Sequence, residues 1–180
     1  METELQLLTA IRSGQDEGLR HLYDRFAGLA MATGLRYVPD PEQARDIVQD
    51  SFVSILTSLD DFHYRGEGSL RAWVTSIVAH QAIDYLKRRG RLVLTDRLPE
   101  DALTDEPEVG RIPPSVLNAL IGKLPTGYRT VLNLYVFEQM THKEIARLLG
   151  IKRETSASQY ARAKNMLAKL INNYLKNDKL

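Results

Sequence analysis

Apolar residues recur every three or four positions along most of the chain, the spacing of one face of an α-helix. Leu5, Leu8 and Ile11 set a first short helix that stops at Gly14. A second helix begins near Asp16 and carries Leu19, Leu22, Tyr23, Phe26 and Ala30 on one side. The third has a full start signal, with Asp40 as N-cap, Pro41 at the first helical position and Gln43 placed to reach back to the cap. Its stripe is Ala44, Ile47, Val48, Phe52, Ile55, Leu56 and Leu59. The polar stretch from Asp60 to Gly68 holds two glycines and reads as a loop. A fourth helix runs from Ser69 to about Arg89 behind Leu70, Trp73, Val74, Ile77, Val78, Ala82 and Tyr85.

The periodicity fails over residues 92–112, which hold Pro99, Pro107, Gly110 and six acids. Pro113 and Pro114 close that stretch, and helices follow at about 114–122, 126–138, 141–149 and 154–176. No run alternates in the manner of a strand. The pattern predicts an all-α fold of two small helical domains, 1–91 and 113–180, joined by a flexible acidic linker over 92–112.

Charge sharpens this division. The net charge of +1 is the sum of −2 over residues 1–91, −4 over 92–112 and +7 over 113–180. A small block that basic points to a polyanionic partner. There are no cysteines, which excludes a disulfide framework, a thiolate metal site and a cysteine nucleophile, and suits a reducing compartment. The acidic start has no secretory pattern and no window is long and apolar enough to span a bilayer, so a cytoplasmic protein without membrane insertion is expected. His21, His63, His80 and His142 share no metal-type spacing, and neither a phosphate loop nor a nucleophile motif is present. The sequence therefore predicts no catalytic residue, no metal and no cofactor, and argues against an enzyme.

The basic block carries the sharpest motif. Thr141-His142-Lys143-Glu144 is a capping box, and Ile145, Ala146, Leu148 and Leu149 form a short amphipathic helix that stops at Gly150. Gly150 supplies the positive φ of a tight turn, and a second helix opens near Glu154 and Thr155. A capped helix, a glycine turn and a second helix make a helix-turn-helix. Lys152, Arg153, Thr155, Ser158, Gln159, Arg162 and Lys164 line the second helix, where such side chains donate to base edges or phosphates. The same pattern also fits an ordinary helical hairpin with solvated charges. In the first domain the fourth helix joins an indole, Trp73, to the basic run Lys87, Arg88, Arg89 and Arg91, a combination suited to unstacked bases. Alternatively Trp73 is core and the cations complement the helix dipole. Arg45, Asp46, Gln49 and Asp50 sit beside the stripe of the third helix, where carboxylates would repel phosphate and suit a protein or plain solvent.

Taken together these runs resemble the sigma-70 family of RNA polymerase sigma factors, in its short extracytoplasmic-function (ECF) class. The run Ala44 to Phe52 is similar to region 2.2. The run Ser69-Leu70-Arg71-Ala72-Trp73-Val74, with Ile77, Ala82, Asp84 and Lys87 to Arg89, is similar to regions 2.3 and 2.4. The set Leu124-Pro125, Tyr128-Arg129, Glu144-Ile145-Ala146, Gly150-Ile151, Thr155, Arg162-Ala163 and Leu167 is similar to region 4. The resemblance implies an alternative sigma factor. Asp46, Gln49 and Asp50 would dock on the β′ clamp of core polymerase, whose β flap is a second contact. Arg71, Trp73, His80, Lys87, Arg88, Arg89 and Arg91 would serve the −10 element, and the region 4 helix would read the −35 element. An anti-sigma factor is an implied partner. His80 stands where the family usually has asparagine, and Ser156, Ala157 and Gln159 replace the commoner valine, lysine and arginine, which leaves base preference open. A stand-alone helix-turn-helix regulator needs only the last domain and does not account for the region 2.2 match.

Overall fold

Thr3 starts the first helix, α1 (Glu4–Arg12): its hydroxyl accepts the Gln6 N–H while the Gln6 side chain accepts the Thr3 N–H. The computed structural model describes residues 3–94, 107 and 109–177. In it α1 is followed by α2 (Asp16–Tyr37), α3 (Pro41–Ser58), α4 (Ser69–Arg88), a 3-10 turn (Val109–Arg111), α5 (Pro114–Gly122), α6 (Thr126–Val136), α7 (His142–Leu149) and α8 (Arg153–Asn177). The fold is all-α, with no strand among the described residues. Most of the acidic linker expected over 92–112 lies outside the described residues. The chain divides into two units, Met1–Tyr85 and Leu86–Leu180.

In the first unit α2 packs on α1 and on α3. Its core draws on Leu7, Leu8, Leu22, Phe26, Ala30, Ala44, Ile47, Ile55, Leu70, Val74, Val78 and Ala82. The stripes differ from expectation at their margins. Leu5, Leu19, Tyr23 and Leu56 are exposed, because each stripe is narrower than the run of apolar letters and turned toward its neighbours. On α1 the buried pair is Leu7 and Leu8, and on α2 the inward line continues through Thr33 to Tyr37. Tyr23 still contributes, leaning its ring on Phe52 with centroids 4.7 Å apart. Gln43 also departs from its expected role. The Asp40 carboxylate alone accepts the Glu42 and Gln43 N–H groups, and the Gln43 Oε1 accepts the Tyr85 hydroxyl at 2.8 Å, tying α3 to α4.

In the second unit α5, α6 and α7 all pack on the long α8. Ile121, Leu124, Tyr128, Leu132 and Ala163 form the main cluster, and Ile112, Leu120 and Ile171 a smaller one. Arg129 is buried beside them, and its Nη1 donates to the Gly122 and Leu124 carbonyls at 3.0 and 2.7 Å, closing the C-terminal end of α5. Burial lowers its pKa without removing its charge. Arg129→Met keeps the stem and strands those carbonyls. It should lower the free energy of opening of the α6 amides, read by native-state hydrogen exchange, by about 2–3 kcal/mol. An unchanged exchange pattern would show that Arg129 does not hold this corner.

Candidate functional site

On α3, Asp46, Gln49 and Asp50 are all exposed. Helical spacing continues their line to Val53, 62% exposed, and Leu56, 47% exposed. The sequence reading passed over Val53 and put Leu56 in the core. The signal that separates them is phase: Leu56 stands next to the buried Ile55, one step around the helix. Neither Asp46 nor Asp50 forms an ion pair among the described residues.

On α4 a second line forms. Trp73, His80 and Lys87 lie at seven-residue intervals and so share one side of the helix. Asp84 lies on that side too, so the line is cationic only at its end. Trp73 is half-buried, its ring 4.9 Å from that of Phe62, so it packs in part against the 59–68 loop. His80 is exposed, and its Nδ1 lies 2.6 Å from the Ser76 carbonyl. Only a protonated Nδ1 can donate there, so in the neutral ring Nε2 carries the free lone pair. Lys87 and Arg88 end the helix, and Arg89 and Arg91 follow, all exposed. Arg71 stands apart from this line, exposed in the first turn of α4.

In the second unit the capping box forms as expected. The Thr141 hydroxyl accepts the Glu144 N–H, and the Glu144 carboxylate accepts the Thr141 N–H and hydroxyl. Those two bonds from Thr141 hold the Glu144 pKa below the usual carboxylate value. Gly150 takes φ 69°, and the Ile151 N–H donates to the Ala146 carbonyl, so α7, the turn and α8 make the helix-turn-helix. His142 locks it. Its ring stacks on Tyr135 at 4.6 Å, lies 5.7 Å from Tyr160, and its Nδ1 is 3.0 Å from the Ser156 hydroxyl. Burial, helped by the Arg153 charge, lowers the His142 pKa and favours the neutral ring.

Two of the residues expected to face DNA do not. Gln159 is 1% exposed and Thr155 8% exposed, both turned inward with Ser156 and Ala163. Residues 155, 156, 159 and 163 fall on one side of α8, and that side packs the other helices. The polar letters Thr, Ser and Gln concealed this inward stripe. The outward side holds Glu154, Ala157, Ser158, Ala161 and Lys164, with Lys152 and Arg153 exposed at its start and Arg162 half-buried at its edge, so one carboxylate stands among the cations. The Lys164 ammonium lies 5.0 Å from the Tyr160 ring centroid. No cluster of metal-ligating side chains occurs among the described residues, and no helix among them is long and apolar enough to cross a membrane.

Comparison with known proteins matches two stretches of the chain to two named modules. The model described as Sigma-70 region 2 matches residues 22–92, and the one described as Sigma-70, region 4 matches residues 116–167. Among curated relatives, RNA polymerase sigma factor YlaC of Bacillus subtilis is 33% identical over 61% of this chain and 66% of its own. ECF RNA polymerase sigma factor SigE of Mycolicibacterium smegmatis is 27% identical over 84% of this chain and 59% of its own. Of solved structures, the sigma factor RpoE from Bartonella quintana, crystallised with the anti-sigma factor NepR, shares the fold. Its TM-score is 0.54 at 19% identity, over 85% of this chain and 96% of that one. With both modules present, in order and spanning more than half its length, the chain belongs to the sigma-70 family of RNA polymerase sigma factors, in the extracytoplasmic-function class.

Proposed function

We propose that the chain binds core RNA polymerase through α3 and recognises promoter DNA through α4 and α8, directing initiation to promoters with matching −10 and −35 elements. The observation that carries this reading is the difference in charge between two helices, α3 and α4. Carboxylates line α3, where they repel phosphate and suit a protein partner. An aromatic-to-cationic line runs along α4, where it suits unpaired bases. Asp46, Gln49 and Asp50 engage the β′ clamp, and Val53 and Leu56 add the apolar area that an interface centre needs. Trp73 and His80 meet separated −10 bases, while Arg71, Lys87, Arg88, Arg89 and Arg91 meet phosphates.

Residues 113–180 serve as the −35 module. Ala157 and Ala161 leave nothing bulky between α8 and a groove floor, and Lys152, Arg153, Arg162 and Lys164 neutralise phosphate on either side. The exposed Val136 and Phe137, at the end of α6, suit the β flap. Residues 1–91 form the polymerase and −10 module, with 92–112 as the tether between the two. An anti-sigma factor that covers these faces is the regulator this reading implies, and the Bartonella protein was crystallised in complex with one. The bond-making chemistry is the polymerase's, in the cytoplasm, and the chain contributes positioning and strand separation.

Run-off transcription with purified core polymerase on a pool of promoter fragments tests this. Initiation that depends on the chain, at fragments sharing two spaced elements, is expected. No initiation and no co-elution with core would instead favour a stand-alone DNA-binding regulator.

A further inference from the structure

Glu4 belongs to neither surface, yet it is 2% exposed and heavily bonded. Its Oε2 accepts the N–H groups of Gly68 and Leu70, each at 2.9 Å, and its Oε1 that of Arg71 at 3.0 Å. These belong to the start of α4. A helix start leaves four N–H groups without helical partners. Here Ser69 N–H goes to the Gly66 carbonyl and Ala72 N–H to the Gly68 carbonyl, so Glu4 takes the two between. Gly68, at φ +91°, has no side chain with which to cap the helix locally. The positive end of the helix dipole and three N–H donors make a buried carboxylate tolerable there.

The arrangement is reciprocal. Glu67 accepts the Glu4 N–H at 3.1 Å, at the start of α1, and pairs with Arg25 at 3.2 Å. A second tether from α1 lies nearby: the Arg12 Nη2 donates to the Phe62 carbonyl at 2.6 Å, and Phe62 supports Trp73. Helix α1 thus holds the 59–68 loop at two points and fixes where α4 begins.

We propose that Glu4 is a positioning residue for capture of the unpaired promoter strand, acting through α4. The proposal rests on reading α4 as the −10 surface. Without the Glu4 cap the first turn of α4 frays, and Arg71 and Trp73 lose their placement, while α3 and its polymerase face are untouched.

The test uses Glu4→Gln in the full chain, at a temperature well below unfolding, with two readouts. Amide hydrogen exchange reports the cap. Binding of holoenzyme to labelled single strands, taken from the promoters found by run-off, reports capture. In the wild type the Leu70 and Arg71 amides should exchange slowly. In Glu4→Gln they should exchange fast, core affinity should stay unchanged, and capture should weaken by about tenfold or more, as expected for lost hydrogen bonds to a charged acceptor. Fast exchange of those two amides already in the wild type would overturn the cap without any variant. Fast exchange in the variant with undiminished capture would leave a structural staple and overturn the positioning role. Wild-type holoenzyme whose capture is insensitive to Trp73→Ala would overturn the α4 reading and this proposal with it, and slow wild-type exchange would then show that the cap itself was not at fault.

Discussion

Asp50→Ala should weaken binding to core polymerase by roughly thirtyfold, about 2 kcal/mol, which is at the lower end of what truncating one partner of a close interfacial charge pair costs. The carboxylate is exposed and forms no ion pair among the described residues, so its removal strands nothing inside the free protein. Alanine is also the better helix former, so stability should hold or rise slightly. The loss therefore reports the partner alone. Fluorescence titration of labelled chain with core measures it, and binding to an isolated −35 duplex should be the same as wild type. Val53→Ala or Leu56→Ala on the same line should also weaken core binding, with less dependence on salt, because apolar contact is screened little. Unchanged core affinity in Asp50→Ala would mean that polymerase docks elsewhere.

The second large effect is expected on the other unit. Removing both Lys152 and Arg153 by alanine should lower −35 duplex affinity by one to two orders of magnitude at low salt. It should also flatten the log–log salt dependence by about two, since each lost phosphate contact removes about 0.9 of slope. The loss should be nearly uniform across sequences, because phosphate contacts carry no base information. Gln159→Ala should behave oppositely. A buried side chain at this position supports the packing of α8, so the variant should unfold more easily while keeping the wild-type salt slope. If the double variant keeps its slope, the N-terminal turn of α8 does not face the duplex.

Much of the fold was legible because its boundaries are chemical. Asp40 before Pro41, the Thr141–Glu144 box and Gly150 each fix a helix end by a bond the local sequence names, and each forms. The exposure of Asp46, Gln49 and Asp50 and of the Lys87–Arg91 run was legible for the same reason, since the spacing of charge along α3 and α4 is a local pattern. The failures share a different physics. Which side of a helix faces inward depends on neighbours, so Leu19 and Leu56 looked like core and Gln159 and Thr155 looked like surface. An inward stripe built of Thr155, Ser156, Gln159 and Ala163 carries almost no hydrophobic signal. Glu4 was the least legible of all. Its partner amides lie 64 to 67 residues away, and nothing around Glu4 or Gly68 names the other.

That distance has a consequence for how the chain is made. During synthesis α1 leaves the ribosome long before the amides it caps exist, so Glu4 waits, solvated, for most of the first unit to follow. A bond that closes so long a loop belongs to the late, non-local steps of folding rather than to its early helices. Until residues 68–71 emerge, α1, α2 and α3 can collapse on one another, but the nascent chain lacks the clasp that sets α4. The first unit then matures as a whole near the end of its own translation, with the start of α4, where Arg71 and Trp73 stand, set late.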